Sequence, residues 1–329
     1  IFFALAAAIC LIRWHGFKFL IRPGFWFSLI IASLLTIPII YWNMQHEWIS
    51  FTYQMAHGAG GDWHVRRLGT FLANQLVCFG LLGILGVAWT YRRHLNTPTT
   101  LLTFFFLPFG IFLYFSGGGS SLPHWTSPAW IALAPIAGIG LANAWSVGKR
   151  FWIGLFLLLQ ITICIIGFAL LFTGGLPKVS MQDSLGKKNP IADLYGWKEV
   201  GQRVLNLAKQ YQIEHTVVQN WTLGSRLAWY ARPLPVHILD ERVDQFDLWF
   251  DKLPIGSNAI VLNWSQMSFT NPVSDTGFKR CDKVDNYIVH QLGRDISQFD
   301  ILVCQDWQGA YTPQRNEFDF NVPLSNPEM

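Results

Sequence analysis

Charged residues are scarce in this chain, and acidic residues are nearly missing from its first half. Only 13% of the 329 residues are charged, and residues 1–172 contain two acids, Glu47 and Asp62, beside nine Lys and Arg. This composition is too apolar for an ordinary soluble enzyme of this size. Residues 173–329 carry the other 18 acids and 15 bases. The change in charge density predicts a domain boundary at residue 172.

The motifs of common soluble enzymes are also missing. The sequence has no P-loop, no strand-linked GxGxxG, no GxSxG elbow and no CxxC pair. Its basic residues do not form a nucleic-acid-binding face, and their position in short loops between apolar runs has a topological reason. We therefore expect no nucleic-acid partner.

Long apolar runs fill the first half of the chain. Spanning a bilayer takes about 20 apolar residues. The opening run, IFFALAAAICLI, is too short for this, and we interpret it as the end of a helix that begins upstream. The sequence would then be a C-terminal fragment. Five further runs are long enough to span, near residues 24–41, 70–90, 100–116, 129–147 and 151–172.

The charge of the short loops alternates along these runs. Lys and Arg cluster at residues 13–22, 92–93 and 149–150, and the positive-inside bias places these loops in the cytoplasm. The loops at 42–69 and 117–128 then face outside, together with everything after residue 172. The sequence predicts a multi-pass membrane protein whose C-terminal domain is extracytoplasmic.

The second half has the composition of a soluble domain. After a polar linker at 173–192, residues 193–329 alternate helix-like and strand-like patterns, which predicts a small α/β domain with a partly parallel sheet. Cys281 and Cys304 lie here, where a disulfide is permitted, although spacing does not show that they pair. The predicted helices are Asp193–Gln210 and Leu223–Ala231, and the predicted strands are His215–Trp221, Val236–Leu239, Ala259–Trp264, 287–290 and 301–303.

Polar residues framed by aromatic rings lie in the external loops and form the predicted rim of a site. The first loop opens with Asn43, His46, Glu47 and Trp48, whose groups could bind a phosphate, ligate a metal or accept a proton. Alternatively, His46 and Glu47 are interfacial residues that cap a helix end. The second external loop adds His124 and Trp125 between fixed proline turns, or else is a flexible connector.

Two arginines break the charge pattern of the outer loops. Arg66 and Arg67 have no topological reason to lie outside, and with His64 they suit a phosphate or pyrophosphate because guanidinium groups bind such anions bidentately. The alternative is an ordinary contact with anionic lipid headgroups.

Several stretches together carry a family resemblance. WNMQHEWISFTYQ at 42–54, RRLGTFLANQ at 66–75 and PHWTSPAW at 123–130 resemble the bacterial branch of the GT-C glycosyltransferases, which is similar to protein O-mannosyltransferases and to the lipid A aminoarabinose transferase. GWKEV at 196–200, LAWY at 227–230 and QFDLW at 245–249 are similar to the external domain of these proteins.

This resemblance implies a GT-C-like membrane helical bundle followed by a small α/β extracytoplasmic domain, in the bacterial inner membrane. Such enzymes move a sugar from a polyprenyl-phosphate carrier to a lipid, glycan or protein acceptor. The family's catalytic acid belongs to an earlier external loop, so no catalytic residue is assigned here. His64, Arg66 and Arg67 become donor-phosphate contacts, and Asn43, His46, Glu47, Trp48, His124 and Trp125 become rim contacts. No nucleotide is needed, and a divalent metal is compatible with this chemistry.

Two other functions fit parts of the sequence. A transporter or flippase of a lipid-linked or anionic solute would place ionisable residues within the spans, whereas here they lie at the ends. A non-catalytic membrane anchor with an external binding domain would leave the polar rim without a role.

Overall fold

The chain is described by a computed structural model that covers residues 2–52, 62–93, 98–119, 122–175, 189, 191–240, 244–269 and 276–309. It is mostly helical, with several long apolar helices followed by a small mixed sheet. The described residues divide into two units between residues 164 and 165. Most of the linker predicted at 173–192 lies outside the described residues.

The described part of the chain up to residue 173 is built of α-helices. Five segments of it are long and apolar enough to cross a membrane, or six when one bent pair is counted as a span. The predictions at 24–41, 100–116, 129–147 and 151–172 are thereby confirmed as long apolar helices. The helices are α1 (Phe2–His15), α2 (Pro23–Gln45), α3 (Val65–Phe79), α4 (Leu81–Arg92), α5 (Thr99–Gly118), α6 (Ser127–Ser146) and α7 (Arg150–Thr173).

The opening segment is longer than its apolar run. Helix α1 continues past Ile12 to His15 and then into a 3₁₀ helix at Gly16–Ile21. Together they form a 20-residue segment that meets the length and composition of a span. The prediction that this run is too short was wrong, because the helix includes polar residues that end the apolar pattern without ending the backbone hydrogen bonds.

The span predicted at 70–90 contains a sharp bend, and only the bent pair of helices as a whole meets the length and composition of a span. Two helices, α3 and α4, meet there at an angle of 96°. Gly80 stands at the break with φ of +78°, a left-handed value that suits glycine. A Cβ at this position would also lie 2.3 Å from Oε1 of Gln160. A run of apolar residues predicts that a segment is buried, but it does not predict a bend of the backbone.

Helices α4 and α6 approach each other closely through small residues. A Cβ on Gly140 would lie 1.9 Å from the carbonyl oxygen of Gly86. Nearby, the hydroxyl of the buried Thr90 lies 2.9 Å from the carbonyl oxygen of Ile136. Small residues that let two backbones approach are typical of helix pairs inside a membrane.

Helices α2 and α7 present apolar side chains outward. None of the residues in the most apolar window of either helix is buried, although both helices consist mainly of apolar residues. Apolar surfaces of this extent are unusual on soluble monomers. They are what lipid-facing helices require.

The second unit contains a five-stranded mixed sheet in the order β2-β1-β3-β5-β4. β1 pairs in parallel with β2 and with β3, and β5 pairs antiparallel with β3 and β4. The predicted α/β domain with a partly parallel sheet is confirmed. The strands are β1 (His215–Val218), β2 (Val236–Ile238), β3 (Ala259–Trp264), β4 (Phe278–Gln291) and β5 (Arg294–Trp307).

Three α-helices accompany the sheet: α8 (Trp197–Tyr211), α9 (Trp221–Tyr230) and α10 (Gln245–Phe250). Trp197, Val200, Val204 and Ala208 of α8 recur at helical spacing and are buried in the main core. The helix predicted from Asp193 starts later than expected, since a 3₁₀ turn at Ala192–Leu194 comes first.

The last two strands are longer than the predicted segments at 287–290 and 301–303. β4 and β5, of 14 residues each, form a hairpin joined at Leu292 and Gly293, both of which have positive φ. Such a two-residue turn matches the twist of antiparallel strands. Cys281 and Cys304 are directly opposite each other in this hairpin and form a disulfide. The structure thus decides the pairing that sequence spacing had left open.

The end of α7 is bonded to the hairpin. The side-chain amide of Gln291 donates to the carbonyl oxygen of Phe172 at 2.7 Å, and the guanidinium of Arg294 donates to that of Thr173. The hydroxyl of Tyr195 donates to the carbonyl oxygen of Leu171. The last carbonyls of a helix lack partners within the helix, and here side chains of the sheet domain supply them.

Candidate functional site

The segment before α3 is bonded to the C-terminal end of α5. The indole nitrogen of Trp63 donates to the carbonyl oxygen of Tyr114 at 3.1 Å. The backbone amide of His64 donates to the carbonyl oxygen of Gly117 at 2.8 Å. Since Gly117 belongs to the last turn of α5, the amide of His64 satisfies a carbonyl that the helix leaves open.

Arg67 takes part in the same contact. Its guanidinium donates to the carbonyl oxygens of Asp62 at 2.8 Å and of Gly117 at 3.4 Å. The charge therefore lies at the negative end of the α5 dipole, where a cation is stabilising. Gly117 itself is required there, because a Cβ on it would come within 2.2 Å of the indole nitrogen of Trp63.

Arg66 and His64 have different surroundings from Arg67. Both side chains are exposed, and neither forms a hydrogen bond or an ion pair with the residues that the structure describes. Both belong to the first turn of α3 or its cap, where backbone amides and the helix dipole favour an anion. Of the predicted donor-phosphate group, these two residues are accessible to a ligand.

A buried glutamine holds the second external loop. Gln75 of α3 is only 1% exposed, and its Oε1 accepts hydrogen bonds from the hydroxyl of Thr126 and from the indole nitrogen of Trp130, the latter at 2.8 Å. Its amide donates to the carbonyl oxygen of Pro123 at 3.3 Å. These bonds fix a 3₁₀ turn at Pro123–Thr126, in which His124 is exposed.

Trp125 joins this turn to α5. Its ring centre lies 6.0 Å from that of Phe112 and 6.4 Å from that of His124. Since Trp63 contacts Tyr114, both loops attach to the last two turns of α5. The structure therefore gathers five predicted residues around the ends of α3 and α5, and we name this set the α3–α5 site: His64, Arg66, Arg67, His124 and Trp125.

The remaining rim residues form a separate local structure at the end of α2. Asn43 is 1% exposed, and its side chain bonds to the carbonyl oxygen of Ile39 at 2.9 Å and to the amide of Ser50 at 3.2 Å. His46 stacks on Trp42 with ring centres 4.1 Å apart, and its Nδ1 lies 2.7 Å from the Trp42 carbonyl oxygen. These contacts end the helix, and a role of either residue toward a substrate stays a prediction.

Glu47 and Trp48 follow that helix end in unusual conformations. Both have positive φ, 52° and 59°, which is rare for residues with bulky side chains. Both are exposed, and the ring of Trp48 contacts that of Phe51. The hydrogen bonds and ring contacts described for these four rim residues all join them to residues within 39–52. The four are Asn43, His46, Glu47 and Trp48. They do not join the α3–α5 site.

No metal centre is found in the part of the chain that the structure covers. Within the described ranges, no three His, Cys, Asp or Glu side chains are grouped so as to hold an ion. The divalent metal considered from the sequence thus has no described cage of such side chains.

Sequence reasoning missed the residues that build the site. Gln75, Thr126 and Gly117 place the predicted groups, yet none of them carries a charge or an aromatic ring. One signal was available, because a glutamine within an apolar helix requires an internal partner in a membrane.

A histidine pair in the second unit was also missed. Nδ1 of His215 lies 3.0 Å from Nε2 of His237 across the parallel pair β1 and β2. His237 is buried, with its Nδ1 3.1 Å from the carbonyl oxygen of Asp251. Burial lowers the pKa of His237 below its ordinary value, and the neighbouring His215 acts in the same direction.

Comparisons with protein families, curated proteins and solved structures find no match to this chain. The function of this chain is therefore inferred from its residues and their geometry.

Proposed function

We propose that this chain belongs to a GT-C-like membrane glycosyltransferase. The enzyme would move a sugar from a polyprenyl-phosphate carrier to a lipid, glycan or protein acceptor at the outer face of the membrane. The observation that carries this proposal is the α3–α5 site, where the exposed His64, Arg66 and His124 and the half-buried Trp125 lie in two loops that both attach to the last two turns of α5.

The geometry suits the two parts of such a donor. An exposed Arg66 at the start of α3 offers a bidentate fork to a phosphate. The apolar faces of the neighbouring helices offer a medium for the polyprenyl tail. Since the described part of residues 1–172 has only Glu47 and Asp62 as acids, little negative charge opposes the phosphate there.

The transfer step itself requires a group that stabilises the departing phosphate and a group that accepts the proton of the acceptor. The bond between the anomeric carbon and the phosphate oxygen breaks while the acceptor oxygen attacks the opposite face of that carbon, which inverts its configuration. Arg66 stabilises the negative charge that develops on the departing phosphate. The acceptor proton passes to a carboxylate, to which we assign no residue of this chain. His124 and Trp125 line the side on which sugar and acceptor meet.

In the proposed function the protein lies in the bacterial inner membrane and its second unit lies outside the cytoplasm. Two observations support this position of the second unit. The basic loops at 92–93 and 149–150 favour the cytoplasm, which leaves the loops at 42–69 and 117–128 and the C-terminal domain outside. The Cys281–Cys304 disulfide is of the kind that persists in an oxidising compartment.

The test compares single variants of the full-length gene product in vesicles supplied with radiolabelled polyprenyl-phosphate sugars. Arg66→Gln should lower transfer of label to lipid or protein roughly 10- to 100-fold, since a hydrogen bond to a charged group is lost. Arg92→Gln is the matched control, because Arg92 is also exposed at a helix end but lies in a predicted cytoplasmic loop.

The alternatives have their own outcomes. Label that crosses the bilayer without being transferred would show a transporter or flippase. Equal transfer by wild type and Arg66→Gln would remove the α3–α5 site from the reaction. Absence of both transfer and transport, with every donor and acceptor extract supplied, would favour the non-catalytic anchor.

A further inference from the structure

An apolar groove lies between three helices of the first unit. It has a volume of about 290 Å³ and lies between α4, α6 and α7. Its walls include two tryptophans and one lysine at the level where α4 and α6 end. They are Leu82, Leu85, Trp89, Leu141, Ala144, Lys149, Trp152, Ile153 and Phe156. A groove lined this way offers an apolar chain a place against the helices and leaves one charged group at its mouth.

The wall of this groove is fixed rather than adaptable. The indole nitrogen of Trp89 donates to Oδ1 of Asn143 at 3.1 Å, which ties α4 to α6. The backbone amide of Lys149 donates to the carbonyl oxygen of Ala144 at 2.9 Å. Gly148, with φ of +84°, makes the tight turn that brings Lys149 to the groove.

A second cation stacks on a tryptophan of the groove wall. The guanidinium carbon of Arg93 lies 5.1 Å from the ring centre of Trp89, a wall residue, and cation–π contact holds the charge there. Arg150 stacks in the same way on Trp145 at 5.3 Å. The groove therefore combines an apolar wall with a cationic mouth.

These cations have no acidic partner among the described residues. The ion pairs of the described chain all lie beyond residue 190. Of the two acids before residue 172, Glu47 follows the end of α2, and the backbone carbonyl of Asp62 contacts Arg67 at the far end of α5, a helix about 30 Å long by its 20 residues. Among the described residues no ion pair involves Lys149 or Arg93, and an anion that carries an apolar chain complements both the cations and the apolar wall.

We propose that this groove is a binding site for one anionic phospholipid. An acyl chain lies against Leu85, Leu141 and Phe156, and the headgroup phosphate binds Lys149 and Arg93. Basic pockets between membrane helices bind anionic headgroups in this way. The site is independent of the transferase reaction, since it uses other helices and no residue of the α3–α5 site.

Native mass spectrometry of the full-length protein in detergent, titrated with phosphatidylglycerol or with phosphatidylcholine of the same chains, tests this site. The wild type should retain one phosphatidylglycerol molecule more strongly than phosphatidylcholine. Arg93→Gln/Lys149→Gln should weaken phosphatidylglycerol binding by about fivefold for each charge removed. Leu85→Trp, which fills the groove, should weaken binding of both lipids.

Arg13→Gln/Lys18→Gln is the matched control, since it removes two exposed cations from the basic cluster at residues 13–22, on helices that do not line the groove. It should leave the retained lipid unchanged. An equal loss in control and test variants would show diffuse surface charge and overturn the site. Equal retention of the two lipids, or no retained lipid in the wild type, would overturn it as well. Unchanged thermal unfolding of each variant confirms that it is folded.

Discussion

At the residue scale, Arg66 and Arg67 show how two adjacent and chemically identical side chains acquire different roles. Sequence reasoning treated them as a pair, because both break the charge pattern of their loop. The guanidinium of Arg67 donates to the end of α5. The side chain of Arg66 is exposed and forms no hydrogen bond or ion pair with the described residues. Replacing Arg67 should therefore disturb the fold of the loop, and replacing Arg66 should leave the fold unchanged.

The contact between α4 and α6 gives a prediction about glycine. Gly140→Ala should lower the free energy of unfolding by roughly 1–3 kcal/mol, because its new methyl group meets the Gly86 carbonyl oxygen. Gly138→Ala, two residues earlier on the same helix, meets nothing within 4 Å and should be neutral. Thermal unfolding of the full chain in detergent measures both. Similar melting temperatures for the two variants would contradict the close helix contact.

The histidine pair predicts a loss of stability in acid. His237 is buried and its pKa is lowered, so the unfolded chain takes up a proton first as the pH falls below the ordinary value of 6.5. The stabilisation is complete above that value and decreases below it, by at most about 1.4 kcal/mol per pH unit. His215 and Asp247 are the charged or titratable side chains that act on this group, from β1 and α10.

Hydrogen exchange of β1 and β2, corrected for its intrinsic pH dependence, measures this effect. Protection should fall between pH 7 and pH 5 in the wild type, and the fall should be smaller in His237→Phe. His290→Gln is the control, because His290 is exposed at the far edge strand. A wild-type protection that is independent of pH would contradict the role assigned to burial.

At the element scale, α3 decides the shape of the candidate site. It was predicted as part of one span at 70–90, and the 96° bend at Gly80 makes it a separate amphipathic helix within the bent pair. Its first turn contacts the end of α5, and Gln75, nearly three turns later, holds the turn at Pro123–Thr126. One helix therefore positions both external loops.

This arrangement predicts the effect of removing Gln75. Gln75→Leu removes the acceptor of the half-buried Trp130 indole, at a cost of about 1–3 kcal/mol. It also removes one of the two acceptors of the buried Thr126 hydroxyl, the other being the Pro123 carbonyl oxygen. A cysteine placed at His124 should then react faster with a maleimide. Asn74→Leu changes an exposed neighbour and should leave the rate unchanged. Equal rates in all three backgrounds would show that Gln75 does not hold this turn.

The sequence predicted the elements better than their geometry. Long apolar runs located the long helices, and short apolar runs between helical patterns located β1, β2 and β3, because both kinds of run follow from burial. The bend at Gly80, the role of Gln75 and the local bonds of Asn43 depend on contacts between residues far apart or on backbone angles. The polar residues of the external loops were predicted as one site. The structure attaches residues 64–67 and 124–125 to the same helix, α5, whereas residues 43–48 form a separate local structure.

At the scale of the whole molecule, the alternation of basic loops makes a prediction about sidedness. Helix α5 separates Arg93 from His124, so cysteines at these positions should react with an impermeant maleimide from opposite faces of the membrane. Cys10, Cys78 and Cys164 are free and must first be replaced by Ser. Only His124→Cys should be labelled in intact cells. Labelling of both, or of Arg93→Cys alone, would reverse or refute the proposed topology.

The bonds at the end of α7 have a consequence for the order of synthesis. Gln291 follows Phe172 by 119 residues, so the ribosome makes the helix end long before it makes the strand that receives it. Until β4 and β5 emerge, the carbonyl oxygens of Phe172 and Thr173 depend on water or lipid headgroups. A nascent chain stopped between β3 and β4 would therefore carry an unfinished helix end, and maturation of α7 is complete only when the hairpin closes on it.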